Sequence, residues 1–192
     1  MSLINNEKLA LYVVKIKKLN QEKFNVLLQF ADEHIKERVK NIHLDNKKNA
    51  MVIANVLRKF LVFKLFSIPF EEQKLTFNEN GKPYFEGKEI YFNVSHSEDY
   101  VACVVGNVEC GVDIQKIVSY KENVAKFIFN EETVENINRS ENKNLEFAKE
   151  WTKLESILKL KGTGFLNYKK QLNDDFKQQY FFIEDYVISV CF

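Results

Sequence analysis

IYFNVSHSEDYVACVVGNVECGVDI, residues 90–114, carries three short apolar runs separated by turn-forming residues. Ile90 to Val94, Val101 to Val105 and Gly111 to Ile114 are rich in β-branched and aromatic side chains, the composition that suits a pleated, half-buried surface. Ser95 to Asp99 connects the first pair, and Gly106-Asn107 supplies turn chemistry before the last. The spacing predicts an antiparallel meander.

Elements on either side give this sheet something to pack against. Leu9 to Ile16 reads as another strand, and from Asn20 the spacing turns helical through Phe24, Leu27, Leu28 and Ala31. A long helix follows, with Asp45 as the expected N-cap. Its apolar stripe runs through Ala50, Ile53, Ala54, Leu57, Phe60, Leu61 and Leu65, ending near Pro69. Leu75 to Phe77 and the Asn80-Gly81 turn precede the meander. After Ile117 the pattern predicts helices over Lys121 to Phe129, from an Asn130 cap to Ile137, and over about Leu145 to Leu160, closed by Gly162 and Gly164. Tyr180 to Ile183 and Tyr186 to Cys191 then form a closing hairpin around Glu184-Asp185.

Helix and strand thus recur in two blocks with no Pro/Gly/Ser-rich linker between them. The expectation is an α+β chain of two pseudo-symmetric halves, 1–107 and 108–192, each a small antiparallel sheet packed on helices.

Bulk properties narrow the function classes. The chain has 192 residues, 45% hydrophobic, enough to bury a core. A net charge of +1 leaves no global field to recruit nucleic acid or an anionic membrane. No apolar run is long enough to span a bilayer and the first residues do not resemble a secretion signal, so a cytoplasmic protein is expected. Cys103, Cys110 and Cys191 lie in strand-like stretches without CxxC spacing, and read as reduced core residues rather than zinc ligands or a disulfide framework.

Two separated motifs carry the chemistry. In Gly111-Val112-Asp113-Ile114-Gln115, period-two alternation puts Asp113 and Gln115 on one side of a strand, opposite Val112 and Ile114. In Trp151-Thr152-Lys153-Leu154-Glu155-Ser156-Ile157-Leu158-Lys159, helical spacing puts Glu155 and Lys159 on one face. Each has a bland reading, a strand-end aspartate bonded to nearby backbone or an exposed ion pair on an amphipathic helix. Together, a carboxylate from a strand with a carboxylate and an ammonium from a helix suit a magnesium ion carrying a phosphate substrate.

In this order the two motifs resemble the bipartite signature of the Sfp-type 4'-phosphopantetheinyl transferases, roughly G-(I/V)-D-(I/V)-(E/Q) followed by (W/F)-x-x-(K/L)-E-(A/S)-x-x-K. The resemblance extends to the loop Leu160-Lys161-Gly162-Thr163-Gly164-Phe165, and upstream to Gly81-Lys82-Pro83 and Phe92-Asn93-Val94-Ser95-His96-Ser97. It implies the fold of that superfamily and a holo-acyl-carrier-protein synthase type of activity. The 4'-phosphopantetheine arm of coenzyme A would pass to a serine of an apo acyl or peptidyl carrier protein, releasing 3',5'-ADP.

The resemblance implies further that Asp113 and Glu155 hold Mg2+, with Gln115 as a neutral third member where relatives often carry an acid. It casts Glu155, Lys159 and Asp113 as the catalytic set, and Lys82, Ser95, His96, Lys48 and Arg38 as coenzyme A contacts in the first half. Leu154 stands where lysine is common. The departures at Gln115 and Leu154 allow an alternative, a degenerate member that binds coenzyme A or carrier protein without transfer. An interaction module with no coenzyme A site is a third class. A cleft formed between the halves of one chain implies a monomer.

Overall fold

The computed structural model of the chain describes residues 1–5, 8–16, 19–164 and 176–192. Phe165, the last residue of the loop quoted above, lies outside them. The elements, in chain order, are β1 (Ser2–Asn5), β2 (Leu9–Lys15), α1 (Gln21–Phe30), α2 (Glu33–Lys40), α3 (Asp45–Phe66), β3 (Thr76–Phe77), β4 (Pro83–Tyr84), β5 (Tyr91–Ser97) and β6 (Tyr100–Gly106). They continue with β7 (Gly111–Lys116), α4 (Glu122–Ile128), α5 (Glu131–Arg139), α6 (Lys143–Lys161), β8 (Gln178–Ile183) and β9 (Tyr186–Cys191). The architecture is α+β, small antiparallel sheets packed on helices, as the sequence leads one to expect.

One sheet has the order β1-β2-β6-β5 and another β7-β9-β8, with every pair antiparallel. β6 is buried along its whole length because both of its faces are covered. Alternation sorts its side chains: Tyr100, Ala102 and Val104 join Val112, Ile114, Ile188 and Val190 in a core shared by the two sheets. Val101 faces Ala50, Ile53 and Ala54 of α3, while Cys103 and Val105 pack with Leu61 and Val62 further along the same helix. On the second sheet, α6 lies across β7 and β9. All three cysteines are buried and free, and burial pushes the thiol pKa of Cys110 up to about 12 and that of Cys191 up to about 11.

The expected meander is broken after its second strand. β5 and β6 form a hairpin that turns at Glu98-Asp99, but β7 pairs with β9 and not with β6. A strand has two edges for hydrogen bonding, and those of β6 are taken by β5 and β2. Gly106 ends β6 against β2, where an added Cβ would lie 2.3 Å from the Lys8 carbonyl oxygen. The chain therefore crosses to start a new sheet.

The two sheets meet along β5 and β7, through side chains in place of a backbone ladder. The amides of Val112, Ile114 and Lys116 donate to Asn93 Oδ1 (3.2 Å), Ser95 Oγ (3.4 Å) and Ser97 Oγ (3.3 Å). The offset is constant, so the strands run parallel, and alternate polar residues of β5 satisfy the outward amides of β7.

Local signals explain most helix ends. Asn20, Asn130 and Asn142 cap α1, α5 and α6 by accepting from amides three residues on. Gly162 closes α6 in the left-handed conformation at φ 66. Asp45 is not the N-cap of α3: Leu44 takes that position, and Asp45 opens the helix, where its charge still complements the dipole.

Candidate functional site

Gly111 permits the close approach that builds the site. An added Cβ there would lie 2.0 Å from the Ser156 carbonyl oxygen and 2.8 Å from the Leu160 amide nitrogen, both backbone atoms of α6. With α6 laid so tightly on the start of β7, successive turns of the helix carry Glu155 and Lys159 towards Asp113. Leu154, Ile157 and Leu158 point away into apolar clusters with residues of α4, α5 and β9. Leu154, the residue before the glutamate, is buried in the core.

Lys159 Nζ donates to Asp113 Oδ1 at 2.6 Å and to Ser95 Oγ at 2.8 Å. Ser95 in turn donates to the same Asp113 oxygen at 2.7 Å. Asp113 is 5% exposed, so a buried carboxylate has one ammonium and one hydroxyl as its compensation. Among the described residues Glu155 has no hydrogen-bond or ion-pair partner. Burial, and then the charge of Asp113, push its carboxyl above the usual glutamate range, with Lys159 opposing them. Gln115 follows on the same side of β7 and is half-buried.

A hollow of about 270 Å³ opens above this group, lined by Lys82, Pro83, Phe92, Val94, Glu155 and Lys159. It shares Pro83, Phe92, Val94 and Lys159 with a second hollow of about 440 Å³. That one reaches His34, Arg38, Met51 and Phe77 and includes His96. The two form a groove large enough for an extended, phosphate-bearing ligand, bounded by α2, α3 and β5 on one side and α6 on the other.

The sequence-derived contacts fall at different places in this groove. Arg38 and His96 line it. Partial burial, then Lys159 and Lys47, hold the His96 imidazole below its ordinary pKa, so it is neutral at pH 7. Neither Lys47 nor Lys48 is part of the lining of either hollow. Lys47, about 100 degrees around the helix, is the lysine close enough to act on His96. Ser95 also lines the second hollow, and its hydroxyl donates to Asp113. The Lys82 ammonium donates to the Leu160 carbonyl oxygen at the C-terminal end of α6, where a cation complements the helix dipole.

Sequence reasoning missed Arg58. It is 1% exposed, its guanidinium lies over Phe92 at 5.5 Å from the ring centroid, and it pairs with Asp32, which also accepts from Lys59 at 3.0 Å. Asn55 donates to Asp32 as well, at 2.8 Å. This cluster ties the start of α2 to α3 beneath the groove. The available signal was an arginine four residues from Ala54 and Val62 in a mostly apolar helix, a position that requires a buried partner.

Asp113, Glu155 and the neutral oxygen of Gln115 make a donor set suited to a hard divalent cation. The fit rests on Glu155, a carboxylate without a partner among the described residues, beside the buried Asp113 whose charge, after burial, raises its pKa. The described residues contain no cluster of three or more His, Cys, Asp or Glu side chains, so water and ligand oxygens would complete the coordination.

Residues 18–108 match the family described as 4'-phosphopantetheinyl transferase, N-terminal. Over 157 residues, 80% of this chain and 65% of the relative, the sequence is 27% identical to 4'-phosphopantetheinyl transferase gsp of Aneurinibacillus migulanus. It is 26% identical to 4'-phosphopantetheinyl transferase psf-1 of Bacillus pumilus over 59% of this chain and 50% of that one. Identity to 4'-phosphopantetheinyl transferase Sfp of Bacillus subtilis is 22%, over 76% of this chain and 66% of the relative. The matches span between half and two thirds of the length of these relatives.

Proposed function

We propose, from the likeness to 4'-phosphopantetheinyl transferases and from the site, that the chain is a member of the Sfp-type superfamily and moves the 4'-phosphopantetheine arm of coenzyme A onto a serine of an apo acyl or peptidyl carrier protein. The observation that carries this reading is the convergence of Asp113, Glu155 and Lys159 at the end of a groove whose far wall is basic.

In this reading the 1–107 half binds coenzyme A and the 108–192 half holds the cation and the reacting groups. The serine hydroxyl attacks the β-phosphorus of the pyrophosphate, the bond from that phosphorus to the bridging oxygen breaks, and 3',5'-ADP leaves. Glu155 takes the serine proton; its raised pKa makes it a stronger base than an ordinary glutamate. Lys159 stabilises charge on the transferred phosphate or the leaving group. Asp113 and Glu155, with Gln115 directly or through water, would hold Mg2+, which would supply neutralisation of the pyrophosphate charge. Arg38, Lys47 and His96 face the nucleotide end. Lys82 stays on the C-terminus of α6 and shapes the groove with its stem. A cytoplasmic location, where coenzyme A is plentiful, and a monomeric state belong to the same proposal.

The test is release of 3',5'-ADP when the chain is incubated with coenzyme A, Mg2+ and a panel of apo carrier proteins. Carrier-dependent release supports the transferase. Coenzyme A binding without release across the panel would favour the non-catalytic relative that Gln115 permits.

A further inference from the structure

We propose that Lys159 competes with the divalent cation for Asp113, so that metal and coenzyme A load the site as a coupled pair. This rests on the transferase reading and adds to it an order of assembly.

Asp113 Oδ1 already accepts two short hydrogen bonds, from Lys159 at 2.6 Å and Ser95 at 2.7 Å. A carboxylate oxygen offers two lone pairs, and both are engaged. A cation that takes this oxygen must displace one donor, and one that approaches the second oxygen, Oδ2, shares the carboxylate with the Lys159 ammonium and is repelled by it. Ser95 is the harder to move, because it is buried and also accepts from the Ile114 amide across the β5–β7 seam. Lys159 is a long, flexible side chain 29% exposed, on the open side of Asp113. Displacement of Lys159 leaves an ammonium in need of an anion, and among the described residues the one carboxylate beside it in the groove is Glu155, which the cation also draws on; Arg38 and His96 line the far part. Glu155, one turn back, would be shared with the same cation.

A pyrophosphate in the groove supplies the missing anion. Lys159 then moves from Asp113 to phosphate, the freed carboxylate accepts the cation, and the cation in turn contacts the phosphate. Each ligand lowers the cost of binding the other, and the coupling is reciprocal. Metal alone binds weakly because it either breaks a charge-assisted hydrogen bond or shares the carboxylate with the ammonium already neutralising it.

Mn2+ alone serves as the probe, its binding read by electron paramagnetic resonance without coenzyme A. Lys159→Gln should bind Mn2+ about tenfold to a hundredfold more tightly than the unaltered chain, the equivalent of one charge-assisted hydrogen bond. Lys159→Arg, which keeps the cation, should stay near the weak value. Adding Asp113→Asn to Lys159→Gln should abolish the gain. Circular dichroism checks each fold, and Lys159→Met replaces the glutamine variant if that one unfolds.

Equal or weaker binding in Lys159→Gln, with Asp113→Asn still lowering it, overturns the competition and leaves the metal reading standing. Mn2+ binding indifferent to Asp113 in every variant overturns both.

Discussion

Ser95 on β5 and Asp113 on β7 are joined Oγ to Oδ1 at 2.7 Å, across the line where the two sheets meet. The same hydroxyl accepts from the Ile114 amide and from Lys159. One serine therefore satisfies the seam and orients the carboxylate. Ser95→Ala should lower kcat about tenfold and cost roughly 1–3 kcal/mol of stability from the groups left unpaired. Its KM for coenzyme A should change little, because the hydroxyl's proton is committed to Asp113. Steady-state kinetics and urea unfolding check this; a large rise in KM alone would return Ser95 to phosphate binding.

Glu155 is raised above the ordinary glutamate range by burial and by Asp113. As a base it must be ionised, so the rate falls as pH drops through the raised value. Glu155→Gln should remove that limb of the pH–rate profile and reduce kcat by about 10²–10⁴. Folding has the opposite sign. A carboxyl with a raised pKa binds protons more tightly in the folded chain, so stability declines as pH rises from the unfolded to the folded value. At pH 7 Glu155→Gln should therefore melt higher than the unaltered chain, which scanning calorimetry would show.

Gly111→Ala should be among the most damaging small substitutions. Its methyl group would meet backbone atoms of α6, which cannot rotate away, and relief requires the helix to shift off β7. A cost of about 1–3 kcal/mol or more follows, with weakened metal binding because Glu155 and Lys159 move with the helix. Denaturant unfolding and Mn2+ titration of the folded variant measure the two effects.

Asp32 sits 14% exposed between Arg58 and Lys59. Burial opposes its ionisation, but the Arg58 charge and hydrogen bonds from Asn55 and Lys59 outweigh it and hold the pKa below the usual range. This stabilisation is complete above the unfolded aspartate pKa and is lost as pH falls through the lower folded value. Asp32→Ala should cost about 3–5 kcal/mol, because Arg58 is left buried and uncompensated. Acid and urea titrations of the variant against the unaltered chain test it.

Lys47→Ala should raise KM for coenzyme A about five- to tenfold, as expected for one lost charge-assisted phosphate contact. Lys48→Ala should leave it nearly unchanged. Equal effects would mean that the helix face does not decide which lysine reaches the nucleotide.

Much of this was legible in the chain because the signals are local. Asn20 and Asn130 mark helix starts, Gly162 marks a helix end, and the pairing of Glu155 with Lys159 follows from helical spacing alone. Alternation put Asp113 and Gln115 on the same side of β7, opposite Val112 and Ile114, which are core residues. What escaped depends on partners distant in sequence. β7 has the composition to continue a meander, and only the occupied edges of β6 forbid it. Whether Lys47 or Lys48 faces the groove turns on the rotation of α3 over its sheet. β1, α2 and β4 were missed because they are short and gain their stability from contacts with β2, α3 and β3.

The central claim is group transfer built on Asp113, Glu155 and Lys159, and the mass spectrum of an apo carrier protein after incubation with the chain, coenzyme A and Mg2+ tests it most directly. The account predicts a gain of one phosphopantetheine arm on the carrier serine, abolished by Asp113→Asn. A carrier panel that stays entirely unmodified while coenzyme A binds, or modification that survives Asp113→Asn at full rate, would contradict it.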